Sequence, residues 1–208
     1  MTKVVRYDQL FDQLRLKIPS GVPVGVMLLA LRDSGKRFCS ESSAWVENLT
    51  PLSTVANQLA YTIINPWQAD IIGINRIGLR SAAQIAADAD DNGSEIAASD
   101  YSFFPATQKV KFASAPASEV ITNGLLVNAV LIPQFNSDEI AEWFFNMYQD
   151  GIIGGAVNTI CSMPQYFNEK IARTGSRDFT NDCVRASRDI ETNYTTKPYR
   201  LKGGYNLI

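Results

Sequence analysis

Histidine is absent from the 208 residues of the chain. That removes the serine–histidine–aspartate and cysteine–histidine systems, in which imidazole takes the proton of the attacking group. It also removes the commonest zinc ligand. Cysteine is scarce: the three present, Cys39, Cys161 and Cys183, are far apart and odd in number. Each lies in an apolar, helix-like stretch, so the expectation is buried free thiols in a reducing compartment and no structural zinc site. An excess of either charge is missing too. Lys and Arg number 19 against 21 Asp and Glu, a formal net charge of −2. This excludes a chain that binds nucleic acid through overall basicity, while a local basic patch stays open. The longest apolar run, VPVGVMLLALR, is closed by Arg32 and Asp33, well short of the ~20 residues a membrane helix needs. The opening MTKVVRYDQLFDQL turns polar and acidic too early for a secretory signal, so none is expected.

What is present fits one domain, or one domain carrying an insertion. Hydrophobic residues make up 46% of the chain and charged ones 19%, enough apolar surface for a sizeable core. Residues 7–18, YDQLFDQLRLKI, place Leu10, Phe11, Leu14 and Ile18 at helical spacing with Asp8 as N-cap. Pro19, Ser20 and Gly21 break this helix. A second starts near Pro23, in a first-turn position, with Val24, Leu28, Leu31, Gly35, Phe38 and Cys39 on one face. The first forty residues therefore read as a helical hairpin.

From Ser43 the pattern changes. AWVENLTPLSTVANQLAYTII, ADIIGINRIGLR, QKVKFAS and GLLVNAVLIP are rich in β-branched and aromatic residues, and NPW, DDNGS, SAPAS and ITNG separate them as turns. Residues 43–134 thus read as an inserted antiparallel β domain of sandwich or barrel size. Trp45 and Tyr61 in it read as core or interface residues rather than stacking platforms for bases.

Helical spacing returns at Asn136, with Ile140, Phe144, Met147, Gly151, Gly154, Asn158 and Cys161 on one stripe. Asn136 and Glu139 have the placement of a capping box, Asp138 and Glu139 suit the positive helix end, and Pro164 ends or kinks the helix. A further helical stretch begins with Phe167 and Ile171. It resumes after RTGSRD with Phe179, Cys183, Ala186 and Ile190. The expected organisation is α+β: a discontinuous helical bundle (1–42 and 135–192), the inserted β domain (43–134) and an extended C-terminal arm (193–208). The arm has Lys197, Arg200 and Lys202, no acid after Glu191, and Tyr194, Tyr199, Leu201 and Tyr205 along it. A segment of that composition reads either as a loose terminus or as one that orders against another surface.

Three stretches invite chemistry. Asp88, Asp90, Asn92 and Gly93 match the first six positions of an EF-hand loop, but the twelfth, which needs a bidentate acid, is Ser99. A hairpin turn at Asn92-Gly93 explains the same residues. Asp88, Asp90 and Asn92 stay a weak metal candidate. DGIIGGAVNTICSMPQ, with Gly151, Gly154 and Gly155, lacks the Lys-Ser/Thr ending of a phosphate loop and the G-x-G-x-x-G of a dinucleotide fold. Each glycine costs about 1 kcal/mol against alanine inside a helix, and close approach of another helix is the plausible return. Whether that helix belongs to the same chain or to a neighbouring subunit stays open. Scattered acids single out no glycosidase-like pair. No catalytic residue and no cofactor is expected.

The order of parts resembles the phage head-to-tail adaptor (connector) family of the tail tubular protein A type. The stretches that carry the resemblance are LLALRDSGKRFCSESSAWVENLTPLSTVANQLAYTI (28–63), VKFASAPAS (110–118), LLVNAVLIPQFNSDEIAEWFFNMYQDGIIGGAV (125–157) and SMPQYFNEKIA (162–172). The most specific are the F-C-x-x-x-x-x-W-x-E start of the insertion and the I-x-G-G-A…M-P helix. The polar segment AQIAADADDNGSEIAASD carries none of the pattern. The resemblance implies a virion structural protein in the neck between capsid and tail, assembled in the host cytoplasm. It implies a homo-oligomeric ring, typically of twelve copies, below the portal protein, with tail or nozzle proteins docking beneath. Double-stranded DNA would pass through the ring without sequence readout, and no membrane is involved. Interface candidates are Gly151, Gly154 and Gly155 on the long helix and Tyr199, Arg200, Leu201, Lys202 and Tyr205 on the arm. Alternatives are another neck or tail-completion (stopper) protein or, from a different class, a calcium- or carbohydrate-binding module.

Overall fold

A computed structural model of the chain describes residues 3–66, 68–86 and 93–194. The elements in order are β1 (Val4–Arg6), α1 (Phe11–Arg15), α2 (Val24–Ser42), β2 (Val46–Asn48), β3 (Ala60–Thr62), β4 (Ala69–Leu79), α3 (Ala82–Ala86), β5 (Ser94–Glu95), β6 (Tyr101–Phe104), β7 (Lys109–Phe112), β8 (Leu125–Pro133), β9 (Glu139–Ala141), α4 (Glu142–Cys161) and α5 (Glu169–Tyr194). The fold is α+β, and every strand pair is antiparallel.

The strands form three sheets. Four strands run in the order β2-β8-β4-β5, three in the order β3-β7-β6, and β1 pairs with β9. The longest ladder joins β4 to β8, with irregularities between Ile71 and Gly73 and between Ile74 and Arg76. Such bulges bend and twist a strand. The two larger sheets face one hydrophobic cluster, to which Ile71, Ile77, Val127 and Leu131 come from one and Tyr61, Val110 and Phe112 from the other. Trp45 and Tyr61 are both core residues, each 4% exposed. Asn92 of the Asn92-Gly93 turn expected from sequence lies outside the described residues. β5 pairs with β4, Gly78 with Glu95 and Leu79 with Ser94.

The helices meet around Phe38 of α2. Its ring lies 5.7 Å from Phe144, 5.5 Å from Tyr148 and 5.7 Å from Phe179, so α2, α4 and α5 share one aromatic centre. Trp45 stacks on Phe144 at 6.2 Å, which joins this centre to the strands. α4 is buried on all sides from Gly151 to Val157, the position of a helix enclosed by its neighbours.

Several local expectations need correction. Residues 7–18 are not one helix: Tyr7–Leu10 is a 3-10 turn leading into the short α1, and Asp8 pairs with Arg6 at 3.2 Å instead of capping. The inner face of α2 holds Leu31, Gly35, Phe38 and Cys39 as expected and adds Met27, Ala30, Ser34 and Ser42, whereas Leu28 is only partly buried and Val24 is half exposed. Pro23 is its N-cap, and the amides of Val26 and Met27 donate to the Pro23 carbonyl.

The long helix does not start at Asn136. Residues 139–141 are extended because they pair with β1, and Arg32 of α2 holds the Asp138 carboxylate through Nε at 2.6 Å. The Glu139 amide, which a capping box would have used, donates instead to Ser137 Oγ at 3.1 Å. Within α4, Tyr148 has non-helical angles (φ −126°, ψ 20°) and takes the inner place expected of Met147, which is half exposed. Finally, α5 continues through RTGSRD without a break. Asn168, just before it, accepts from the Ile171 amide at 3.2 Å through Oδ1 and so acts as its cap. Pro164 does end the long helix, in a 3-10 turn of Pro164–Tyr166.

Candidate functional site

The four-stranded sheet ends at β2, and beside it lies a groove of about 750 Å³. Trp45, Glu47, Leu49 and Leu52 line it from the β2 side, and Ile63 and Ile64 from the segment after β3. The local sequence explains the placement. Ser43 takes the left-handed conformation (φ 53°, ψ 24°) and its amide donates to the Cys39 carbonyl, so the chain turns sharply off α2 into the strand. Trp45 then packs inward on Phe144, while its indole Nε1 donates to Glu47 Oε1 at 2.8 Å. Glu47 is the one carboxylate among the described lining residues, and they include no thiol or amine. An apolar trough with one acid beside an outer strand suits binding of an extended segment better than bond-making chemistry.

The three glycines of the long helix lie elsewhere, in the bundle. A Cβ built on Gly154 would stand 2.8 Å from the Gly175 carbonyl oxygen and 3.1 Å from the Phe179 amide nitrogen, both backbone atoms of α5. One on Gly151 would meet the Phe38 ring at 2.5 Å and Asp182 Cβ at 2.7 Å. One on Gly155 would collide with Ser34 Oγ and lie 2.6 Å from the Phe179 ring. Ser34 Oγ itself donates to the Ile152 carbonyl at 2.6 Å. The helices that fill the glycine face are therefore α2 and α5 of the same chain.

Ionisable groups along this packing are perturbed by burial. Burial pushes the Tyr148 phenol up to about 12, helped by its hydrogen bond to Asp189 Oδ2 at 3.1 Å. Burial also raises the Asp182 carboxyl above its ordinary value, against the lowering effect of Arg185 at 3.3 Å. These shifts follow from packing. No base and nucleophile are brought together by them.

The other candidates fall outside the described residues: Tyr199, Arg200, Leu201, Lys202 and Tyr205 on the arm, and Asp88, Asp90 and Asn92 in the EF-hand-like segment. Gly93 has φ +69°, and past Ser99, where an EF-hand needs its second helix, the chain enters strand β6 at Tyr101. Among the described residues no cluster of three His, Cys, Asp or Glu side chains could hold a metal ion. No helix among them is long and apolar enough to cross a membrane.

Sequence reasoning missed two features. Gly175, read as part of a break, is the residue that lets α5 lie on Gly154. The signal was present as a glycine inside a stripe whose spacing resumes beyond it. The groove had no sequence signal, because Ile63 and Ile64 reach β2 only through the packing of two sheets. No protein-family model matches the chain, and no curated protein matches it.

Proposed function

We propose that the protein is a non-enzymatic head-to-tail adaptor of a phage virion. It would act as a ring below the portal that continues the DNA channel, helps retain the packaged genome and offers a docking platform to tail components. The observation that carries this reading is the order of parts. A helix α2 leads through Trp45 into a β insertion. The strand β8 ends at Pro133, and the long glycine-bearing α4 is followed by the Pro164 turn and α5. That is the order to which the sequence resemblance points.

Surface composition supports the same reading. Leu16 is 88% exposed, Ile64 78% and Phe135 76%. These apolar side chains, in the segments after α1, β3 and β8, are available for burial between neighbouring copies. The formal charge of −2 suits a channel wall, since strong phosphate contacts would brake DNA passage. The mechanism is mechanical and needs no nucleophile–base set. The test is native mass spectrometry and electron microscopy of the protein alone and mixed with portal. A closed ring on the portal is expected. Complete tailed particles from a phage lacking this gene would overturn the reading.

A further inference from the structure

The outer face of the sheet β3-β7-β6 carries charge of one sign. Side chains alternate along a strand, and residues opposite one another in a pair share a face. Tyr61, Val110 and Phe112 turn inward and are buried in the core. Their neighbours turn outward. The register sets Ala60 and Ser102 on either side of Lys111, and Thr62 and Phe104 on either side of Lys109. All six are exposed, so no described element lies over this face.

Among the described residues neither Lys109 nor Lys111 has an ion pair. Asp100, just before β6, is the acid next in line, and its carboxylate accepts from Ser99 Oγ at 3.0 Å. Overall charge hides the patch, since 19 bases stand against 21 acids over the chain. The two lysines are two residues apart on one strand, so their stems leave the sheet about 7 Å apart. That is close to the separation of neighbouring phosphates on an extended strand.

Phe104 stands beside them, 48% exposed. The connection from β6 to β7 is tight. Pro105–Thr107 is a 3-10 turn, and Gln108 takes left-handed angles (φ 50°, ψ 42°). The Gln108 amide and its Nε2 both donate to the Pro105 carbonyl, at 3.3 and 2.7 Å. The backbone at Phe104 and Lys109 is thus fixed, with an aromatic ring next to a cation on an open surface. An unpaired nucleotide offers the matching chemistry: a phosphate for the ammonium and the flat face of a base for the ring. A duplex keeps its base faces stacked inside and would meet the lysines alone.

We propose that this face binds single-stranded nucleic acid, with neighbouring phosphates on Lys109 and Lys111 and a base stacked on Phe104. The six residues include no amide or guanidinium to read base edges, so DNA and RNA strands are both accepted without regard to sequence. Two phosphate contacts make the site weak and salt-sensitive. Binding is a property of one chain and holds whatever the protein assembles into.

The test is fluorescence anisotropy of the full-length protein at low salt with three labelled probes: oligo(dT), oligo(U), and oligo(dT) annealed to its complement. The single strands are bound more tightly than the duplex. The double variant Lys109→Gln/Lys111→Gln lowers the slope of log affinity against log salt by about 1.4, at ~0.7 for each phosphate. Phe104→Ala weakens single-strand binding at least about fivefold, with the slope and the duplex affinity unchanged. Lys170→Gln on α5 leaves all three probes as in the wild type. Each substituted side chain is exposed, and unchanged far-UV circular dichroism checks that the variants fold. Absence of binding to both single strands would overturn the proposal and leave the face to an acidic protein surface. Duplex bound as tightly as single strand, an unchanged slope in the double variant, or a loss in Lys170→Gln equal to that in the double variant would overturn it as well.

Discussion

Gly154 and Gly175 pack backbone against backbone, so closely that a Cβ on Gly175 would lie 2.5 Å from the Gly154 carbonyl oxygen. A backbone carbonyl cannot rotate aside, so a side chain at either position must push α4 and α5 apart. Gly154→Ala and Gly175→Ala are each expected to lower stability by about 1–3 kcal/mol through overpacking, even after the ~1 kcal/mol that alanine gains in helix propensity. Gly25 of α2 is the control, since a Cβ there meets nothing within 4 Å. Gly25→Ala should be neutral or stabilising by up to about 1 kcal/mol. Urea midpoints of the three variants check this. By the same contacts, Gly154→Leu should prevent folding rather than leave a folded monomer unable to form rings.

Ser43 holds a left-handed conformation, φ 53° and ψ 24°, at the end of α2. Glycine adopts these angles without the strain that a Cβ brings. Ser43→Gly is expected to be stabilising by about 0.5–1 kcal/mol, seen as a rise of roughly 1–4 °C in Tm for a chain of this size. A fall in Tm would show that the serine side chain contributes more than its backbone strain costs.

The three cysteines are buried and unpaired. Burial pushes the Cys183 thiol up from 9.0 to about 12, with Glu41 adding to it, and raises Cys39 and Cys161 as well. A thiol reagent at pH 8 should therefore find no fast-reacting group in the native protein and three in denaturant. One fast native thiol would contradict the packing around Phe38.

The same burial sets the alkaline limit of stability. Cys183 and Tyr148 both have folded-state values raised to about 12, from ordinary values of 9.0 and 10.0. Raised values favour the protonated folded state. Their contribution is full below pH 9 and is lost as pH climbs through about 12. Urea midpoints should fall steadily above pH 9. A flat profile from pH 9 to 11 would sink the assignment.

Asp182 provides the acid-side counterpart. Burial raises its carboxyl above the ordinary 3.8, only partly offset by Arg185. Its protonated form is therefore favoured in the folded state, and that contribution is lost as pH rises through the folded value. Asp182→Asn should match wild type in urea midpoint near pH 3 and exceed it at pH 7. Equal midpoints at both pH values would show that Arg185 compensates fully.

The sequence by itself determined the features that depend on near neighbours. The α+β class, the strands β4, β7 and β8, the stop at Pro164 and the packing role of Gly151, Gly154 and Gly155 come from side-chain period and from residues that fix φ. Tertiary structure decided whatever depends on a distant partner. Glu139–Ala141 is a strand because β1 lies beside it, although its own sequence suits a helix start. Gly175 sits inside a continuous α5 because Gly154 lets the helices touch, and the inner face of α2 is set by where α4 and α5 press on it. The groove exists only because β2 ends one sheet while Ile63 and Ile64 arrive from the other. Local period says which residues share a face; contact between distant elements decides what that face meets.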